Sequence, residues 1–264
     1  IQPKTSRERS KNAERYSLNV IVRSFSPKTR IDAIQLADIV RWRDQLLSKD
    51  SAPATVNRYL ASLRAIQNRA YSEWDALKTM PKFHLLPLQN HRCRFLSREE
   101  EQFILEARKP HRRSLNIVLI DTGARLFEAL DLIWDNVDLD SPNKASITLL
   151  KTKNGLPRRI SLTSRSTNLL LAIIEARRDL NMPVFLYHAP GTPEAVPYRN
   201  PHGAWNTALR KSNVDTSIRI HDLRHTFASR LVSKGVPIFD VSKLLGHKSI
   251  NMTMLICPHE RYHF

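Results

Sequence analysis

The pair Asn154-Gly155 narrows the fold more than any other feature of the chain. Asn and Gly tolerate the left-handed backbone of a two-residue turn, so β-rich runs on either side of them are expected to pair antiparallel. Such runs are present: Ala145-Ser146-Ile147-Thr148-Leu149-Leu150 before the turn and Arg158-Arg159-Ile160-Ser161-Leu162 after it. Almost everywhere else the apolar residues recur at helical spacing. Leu18, Ile21, Val22 and Phe25 form one such stripe, ended by Ser26-Pro27, and Ile34, Leu36, Ile39, Val40, Trp42 and Leu46 form a second. The expected class is therefore mainly α with a small antiparallel β-sheet (α+β).

A third helix is expected after Pro53, capped by Thr55, with Val56, Tyr59, Leu60, Leu63, Ile66 and Ala70 on its apolar side. Asn57, Arg58, Arg64 and Arg69 fall on its other face, and Trp74 and Leu77 close it. Residues 1–80 thus read as a small helical domain, with a basic lead-in before its first stripe. Residues 81–93 follow Met80-Pro81, contain Leu86-Pro87 and run into the basic stretch His91-Arg92-Cys93-Arg94, which reads as a linker. Residues 94–264 form the second domain. There Ser97-Arg98-Glu99-Glu100 is a capping box opening a helix to about Arg108. An apolar helix runs from Leu115 to Thr122 and breaks at Gly123. Ser164 is expected to cap a helix through Arg178, residues 187–201 to form a loop, and helices to cover 202–212, 222–234 and 237–245.

Charge points to the partner. The chain carries 42 Lys and Arg against 25 Asp and Glu, a net charge of +17. Residues 1–92 hold +9 of it and residues 93–264 hold +8. An excess of this size suits a polyanion, because each cation placed on a phosphate releases condensed counterions. Its even spread favours a clamp over a basic tail. The two cysteines, Cys93 and Cys257, make no disulfide framework, so a reducing cytoplasm is the expected compartment. No apolar run is long enough to span a bilayer, and no membrane role is expected. The chain begins at Ile1 without Met, which reads as a piece of something longer.

Four motifs carry chemistry. In Thr122-Gly123-Ala124-Arg125-Leu126-Phe127-Glu128, Arg125 sits at a helix start, where its fork could grip a phosphate bidentately or simply pair with Glu128. Lys153 stands beside the hairpin turn, where a lysine can reach a groove or protonate a leaving oxygen, although most such lysines are solvated. In His221-Asp222-Leu223-Arg224-His225, two imidazoles and a guanidinium share one helical turn and offer donors for a phosphate together with a general acid or base. The spacing of His221 and His225 also suits zinc, but the Glu of a His-Glu-x-x-His motif is absent and Arg224 would repel a cation, so no metal is expected. Last, Leu244-Leu245-Gly246-His247 ends a helix at a Gly and places His247 on the loop that follows.

Together and in this order, Thr-Gly-x-Arg-x-x-Glu, Thr-Lys-Asn-Gly, His-x-Leu-Arg-His-Thr and Leu-Leu-Gly-His resemble the tyrosine recombinase (phage integrase) family across residues 94–256, and residues 1–80, with Ala54-Thr55-Val56-Asn57-Arg58-Tyr59-Leu60, resemble its helical core-binding domain. The resemblance implies a C-shaped clamp on duplex DNA and a site-specific recombinase that cleaves and rejoins DNA through a 3′-phosphotyrosyl intermediate, integrating or excising mobile DNA. It implies no cofactor. It implies a homo-tetramer on DNA, with room for accessory DNA-bending proteins, and a cytoplasmic, nucleoid-associated protein of prokaryotic or phage origin. By residue, it gives Arg125 and Arg224 the non-bridging oxygens, Lys153 the leaving 5′-oxygen, His221 the role of general base and His247 a phosphate donor, with His225 in support. Asn57, Arg58, Arg64, Arg69, Arg92 and Arg94 would touch DNA. The family's tyrosine falls nine residues after its last His, where this chain has Ile256. Three alternatives stand: Tyr262 is the nucleophile on a displaced segment, the tail has diverged and leaves an integrase-like DNA-binding protein that cannot cleave, or Cys257 substitutes.

Overall fold

The computed structural model describes residues 6–88, 93–140, 144–150, 156–176, 182–188, 195–198 and 201–255, with the side chains of 6–10 and of Ala195 excepted. The chain divides into two units, Ile1–Asn90 and His91–Phe264.

The first unit is helical. It is built from α1 (Ser6–Phe25), α2 (Leu36–Ser48) and α3 (Pro53–Ser72). Both α1 and α2 pack on α3, and Ile21, Ile34, Ile39, Trp42, Val56, Tyr59, Leu60 and Leu63 form the core between them. The third helix starts three residues earlier than expected. Pro53 takes its first position, where a missing N–H costs nothing, and Ala52 rather than Thr55 stands at the cap. The unit also extends beyond residue 80. Phe83 and Leu86 pack against the helical core, so the first part of the expected linker is a strap laid on this unit. Asn57 fixes the strap: its Nδ2 donates to the Leu86 carbonyl and its Oδ1 accepts from the Leu86 N–H, both at 2.8 Å. Leu86 precedes Pro87 and is biased to extended backbone, which leaves both its polar groups facing the amide.

The second unit begins with α4 (Arg98–Glu106), closed by the reciprocal Ser97–Glu100 capping box that the sequence predicts. Then come α5 (Pro110–Thr122) and α6 (Leu126–Leu130). Strands β1 (Val137–Asp138), β2 (Ser146–Leu149) and β3 (Arg158–Ser161) make an antiparallel sheet in that order. The hairpin register pairs Ile147 with Ile160, both buried. Next is α7 (Ser164–Glu175), capped by Thr163 rather than Ser164, with the Thr163 hydroxyl accepting from the Ser166 N–H. Part of the expected 187–201 loop is instead a second antiparallel pair, β4 (Leu186–His188) and β5 (Ala195–Pro197). Pro197 at the end of a two-stranded edge removes no interior ladder bond, which is why the proline did not preclude a strand. The chain continues through α8 (Pro201–Lys211), α9 (Asp222–Val232), α10 (Ile238–Leu245) and α11 (Ile250–Met254). The last of these was not foreseen; the Ser249 side chain caps it.

A smaller buried cluster of Phe227, Ala228, Val241 and Leu245 joins α9 to α10, and the main core of the second unit includes Leu115, Val118, Leu119, Ile147, Ile160, Leu170, Trp205, Leu209 and Leu223. Its axis is α5, apolar on most sides and packed against α9. Glu101 ties the periphery. Buried on α4, it accepts from Arg165 of α7 at 2.6 Å and Arg230 of α9 at 2.5 Å. Among the described residues no helix is long and apolar enough to cross a membrane.

Candidate functional site

Two helix C-termini meet at the site. Helix α5 ends at Gly123 with φ of 61°, and α10 ends at Gly246 with φ of 63°, both left-handed conformations that suit glycine. Gly123 has a second reason to lack a side chain, since a Cβ there would lie 2.4 Å from the Phe227 ring of α9. The carbonyls at helix ends lack intrahelical partners and carry the negative pole of the helix. Arg224 of α9, only 2 % exposed, fills this role: its Nη1 donates to the Gly123 carbonyl at 2.6 Å and its Nη2 donates to the Leu245 carbonyl.

Beyond Gly123 the Ala124 N–H donates to the Thr122 hydroxyl and the chain turns into α6. Arg125 stands at the cap. Its backbone N–H donates to Glu128 Oε2 and its Nη1 to Glu128 Oε1, both at 2.8 Å, while its Nη2 reaches the Gly246 carbonyl at 3.2 Å. The pairing with Glu128 that the sequence allowed is therefore present. It leaves donors over, because a guanidinium has five N–H groups. Glu128 is shared: Arg158, the first residue of β3, donates to the same two oxygens at 3.1 and 2.5 Å. Burial pushes the Glu128 carboxyl up, but Arg158 first and then Arg125 outweigh it and hold it below the usual carboxylate range.

The histidines complete the cluster. His221, at the cap of α9, and His225, one turn on, stand edge to face with ring centres 5.0 Å apart. His221 is open to solvent by area, yet the atoms packed round its ring, and Arg224 beside it, push its pKa down. His225 is pushed down to about 4 by burial and by His221. His247 is also pushed down to about 4, by burial and then by Arg224 and Arg125. At about 4, His225 and His247 are neutral at pH 7, and His221 is shifted in the same direction, so the positive charge of the site resides on its guanidiniums. Burial and the nearby Arg125 and Arg158 lower Arg224 to about 9, which still leaves it protonated at neutral pH. The His247 Nδ1 lies 2.8 Å from the Thr253 hydroxyl, and α11 buries Thr253 fully. When Thr253 donates to Nδ1, the ring proton sits on Nε2, which is then a donor.

The structure thus brings Arg125, His221, Arg224 and His247 together. The β2–β3 hairpin that carries Lys153 is anchored at Arg158, opposite Leu149. Lys153 itself lies outside the described residues, as do Ile256, Cys257, Tyr262 and Arg92. Sequence reasoning missed Arg158 and Thr253 as members of the site. Arg158 was legible only as part of the strand after the Asn154-Gly155 turn. Among the described residues no group of three His, Cys, Asp or Glu side chains could hold a metal ion.

The residues expected to touch DNA divide. Arg58 and Arg69 are exposed on α3, with Arg69 3.8 Å from Glu73. Asn57, expected on the open face of the helix, is buried, with its amide oxygen and nitrogen both bonded to Leu86. A position one turn from the apolar stripe became interior because the strap covers it. Arg64 is likewise turned to the strap: it donates to the Phe83 carbonyl, with its guanidinium 4.8 Å from the Phe83 ring centre. Arg94 is held by Glu100, by the Phe95 carbonyl at 2.6 Å and by Asp215 at 3.7 Å.

Comparison with known proteins agrees with this geometry. The model of the phage integrase family matches residues 94–260. The integrase of Salmonella phage P22 is 27 % identical over 212 residues, covering 77 % of this chain and 54 % of its own. The chain thus spans about half the length of that relative. The ICEBs1 integrase of Bacillus subtilis is 26 % identical, covering 93 % of this chain and 72 % of its own. The tyrosine recombinase XerC of Staphylococcus saprophyticus is 26 % identical, covering 84 % and 77 %. In fold, the chain is similar to the Tn1549 transposon integrase in complex with a circular intermediate DNA, at a TM-score of 0.74 and 19 % identity, over 94 % of this chain and 89 % of that one. It is similar as well to a lambda integrase dimer bound to a COC′ core site, at a TM-score of 0.72 and 16 % identity, over 97 % and 91 %.

Proposed function

The chain belongs to the phage integrase family, and from that premise we propose that it is a site-specific DNA recombinase acting on mobile DNA through a 3′-phosphotyrosyl intermediate. The observation that carries this reading is the convergence of Arg125 and Arg224 with His221, His225 and His247 at two helix ends.

A scissile phosphate seated there meets fixed positive charge and oriented donors, which favour a transition state richer in negative charge than the ground state. Arg125 offers its remaining N–H groups to the non-bridging oxygens, and Arg224 supplies charge from beneath. His247, oriented by Thr253, donates through Nε2. His221 is open and shifted towards its neutral form, so it can take the proton of an attacking hydroxyl. Tyr262 is proposed as that hydroxyl. As its oxygen bonds to phosphorus, the bond to the 5′-oxygen breaks, and Lys153 gives that oxygen its proton. A 5′-hydroxyl from a partner strand reverses the sequence and frees the tyrosine. The bond energy stays in the phosphotyrosyl link, so no metal or nucleotide takes part.

The two units are proposed to close on duplex DNA as a clamp, with Arg58 and Arg69 of the first unit on backbone phosphates. The working assembly is a homo-tetramer on two duplexes, with accessory DNA-bending proteins where the site requires a bend, in the cytoplasm at the nucleoid. The test is a nicked suicide duplex carrying the recognition site, resolved on a denaturing gel. An adduct that forms with the natural chain and is lost in Tyr262→Phe supports the reading. Duplex binding without an adduct overturns it and leaves an integrase-like DNA-binding protein.

A further inference from the structure

Arg158 and Arg159 are adjacent in sequence but project to opposite sides of β3. Arg159 is largely exposed and bonds Asp138 and, at 2.7 Å, the Ser146 hydroxyl. Arg158 is directed into the cluster, its side chain 9 % exposed. It makes two bonds to the buried Glu128 carboxylate, the same one that Arg125 holds from the other side. It also lies against the turn that carries His247: a Cβ on Gly246 would meet Arg158 Nη1 at 3.0 Å, and the Gly246 carbonyl accepts from Arg125. One side chain therefore touches α6 and the Gly246 turn from the base of the β2–β3 hairpin.

We propose that Arg158 is a positioning residue of the site: by neutralising and orienting Glu128, it prevents that carboxylate from capturing Arg125 outright and keeps a donor edge of Arg125 available to the scissile phosphate. With both arginines present, two positive charges share one negative charge and Arg125 retains net attraction for a phosphate. Without Arg158, Glu128 and Arg125 form a closed one-to-one pair in a partly buried setting, where such pairing is strong. The planar fork matters as well as the charge, because both Glu128 oxygens are engaged together.

The inference rests on the recombinase reading, and two readouts keep them separable. The first is the rate of adduct formation on the nicked suicide duplex at saturating DNA. R158M is expected to slow it about tenfold or more with duplex affinity kept within about threefold, since Arg158 acts through another donor. R159M is expected to leave it unchanged. Adding Glu128→Gln to R158M is expected to restore much of the rate, because the competing carboxylate is gone. A merely structural Arg158 predicts further loss in that double variant. The second readout is the rate at which phenylglyoxal modifies Arg125, followed by peptide mass spectrometry. It is expected to fall in R158M and to recover in the double variant. Should R158M melt below the assay temperature, R158K, which keeps the charge and loses the fork, is expected to slow adduct formation several-fold. A natural rate in R158M or R158K, additive loss in the double variant, or equal modification of Arg125 in all forms overturns the inference. An absent adduct in the natural chain overturns the recombinase reading alone, and the modification pattern then decides the role of Arg158.

Discussion

The Nη1 of Arg224 lies 2.6 Å from the Gly123 carbonyl, which joins the first turn of α9 to the C-terminal end of α5. The same guanidinium holds the Leu245 carbonyl, so one buried charge fastens two helix ends. The catalytic reading and the fold depend on the same atoms at this point. Any change that shifts the end of α5 relative to α9 is expected to disturb the proposed phosphate seat.

Gly123→Ala tests this joint. The residue is left-handed, and its Cβ would overlap the Phe227 ring at 2.4 Å. Strain and overpacking together are expected to cost about 2–4 kcal/mol. Urea unfolding measures it, and a loss below about 0.5 kcal/mol would show that the joint yields freely.

Acid should weaken the fold through its histidines. His225 and His247 are both pushed down to about 4 in the folded chain. Unfolded, each takes its proton near pH 6.5, so between about pH 6.5 and pH 4 the unfolded chain binds more protons and stability falls as pH falls. Each histidine is expected to contribute roughly 1–2 kcal/mol of this loss between pH 7 and 5, after allowance for solvent screening. Urea midpoints across that range measure it, and His247→Gln should flatten the slope. An unchanged slope in that variant would place the His247 pKa near its ordinary value.

Much of this site is legible in the sequence, because glycine stops and a capping arginine are local signals. Thr122-Gly123-Ala124-Arg125 and Leu245-Gly246-His247 place their residues at helix ends without reference to the rest of the chain. The Ser97–Glu100 box and the β2–β3 hairpin are local in the same way. What escaped is non-local. Arg158 joins Glu128 across 30 residues, and Asn57 is buried by Leu86, 29 residues away. On a helix face alone, Asn57 reads as open, since nothing in residues 53–72 announces that a strap will cover it.

Asn57→Ala should loosen that strap. It removes both bonds to Leu86 and leaves that residue's N–H and carbonyl short of partners, at an expected cost of about 1–3 kcal/mol. Hydrogen exchange should quicken at residues 83–88, while the helices keep their protection. Unchanged exchange there would show that Phe83 and Leu86 hold the strap without the amide.

Glu101→Gln probes the ion network on the far side of α9. The carboxylate is 3 % exposed and serves both Arg165 and Arg230. Removing its charge is expected to destabilise the second unit by about 3 kcal/mol and to leave salt-dependent duplex binding close to natural. A loss of binding without a loss of stability would reassign this network to the DNA interface.

The recombinase reading requires that Arg125 act on the transition state rather than on duplex capture. Single-turnover adduct formation by Arg125→Ala, at saturating duplex and fixed salt, tests it most directly. The expected rate is at least about a hundredfold lower, with duplex affinity changed by no more than about threefold. A natural rate at saturating duplex, or a defect confined to binding, would contradict it.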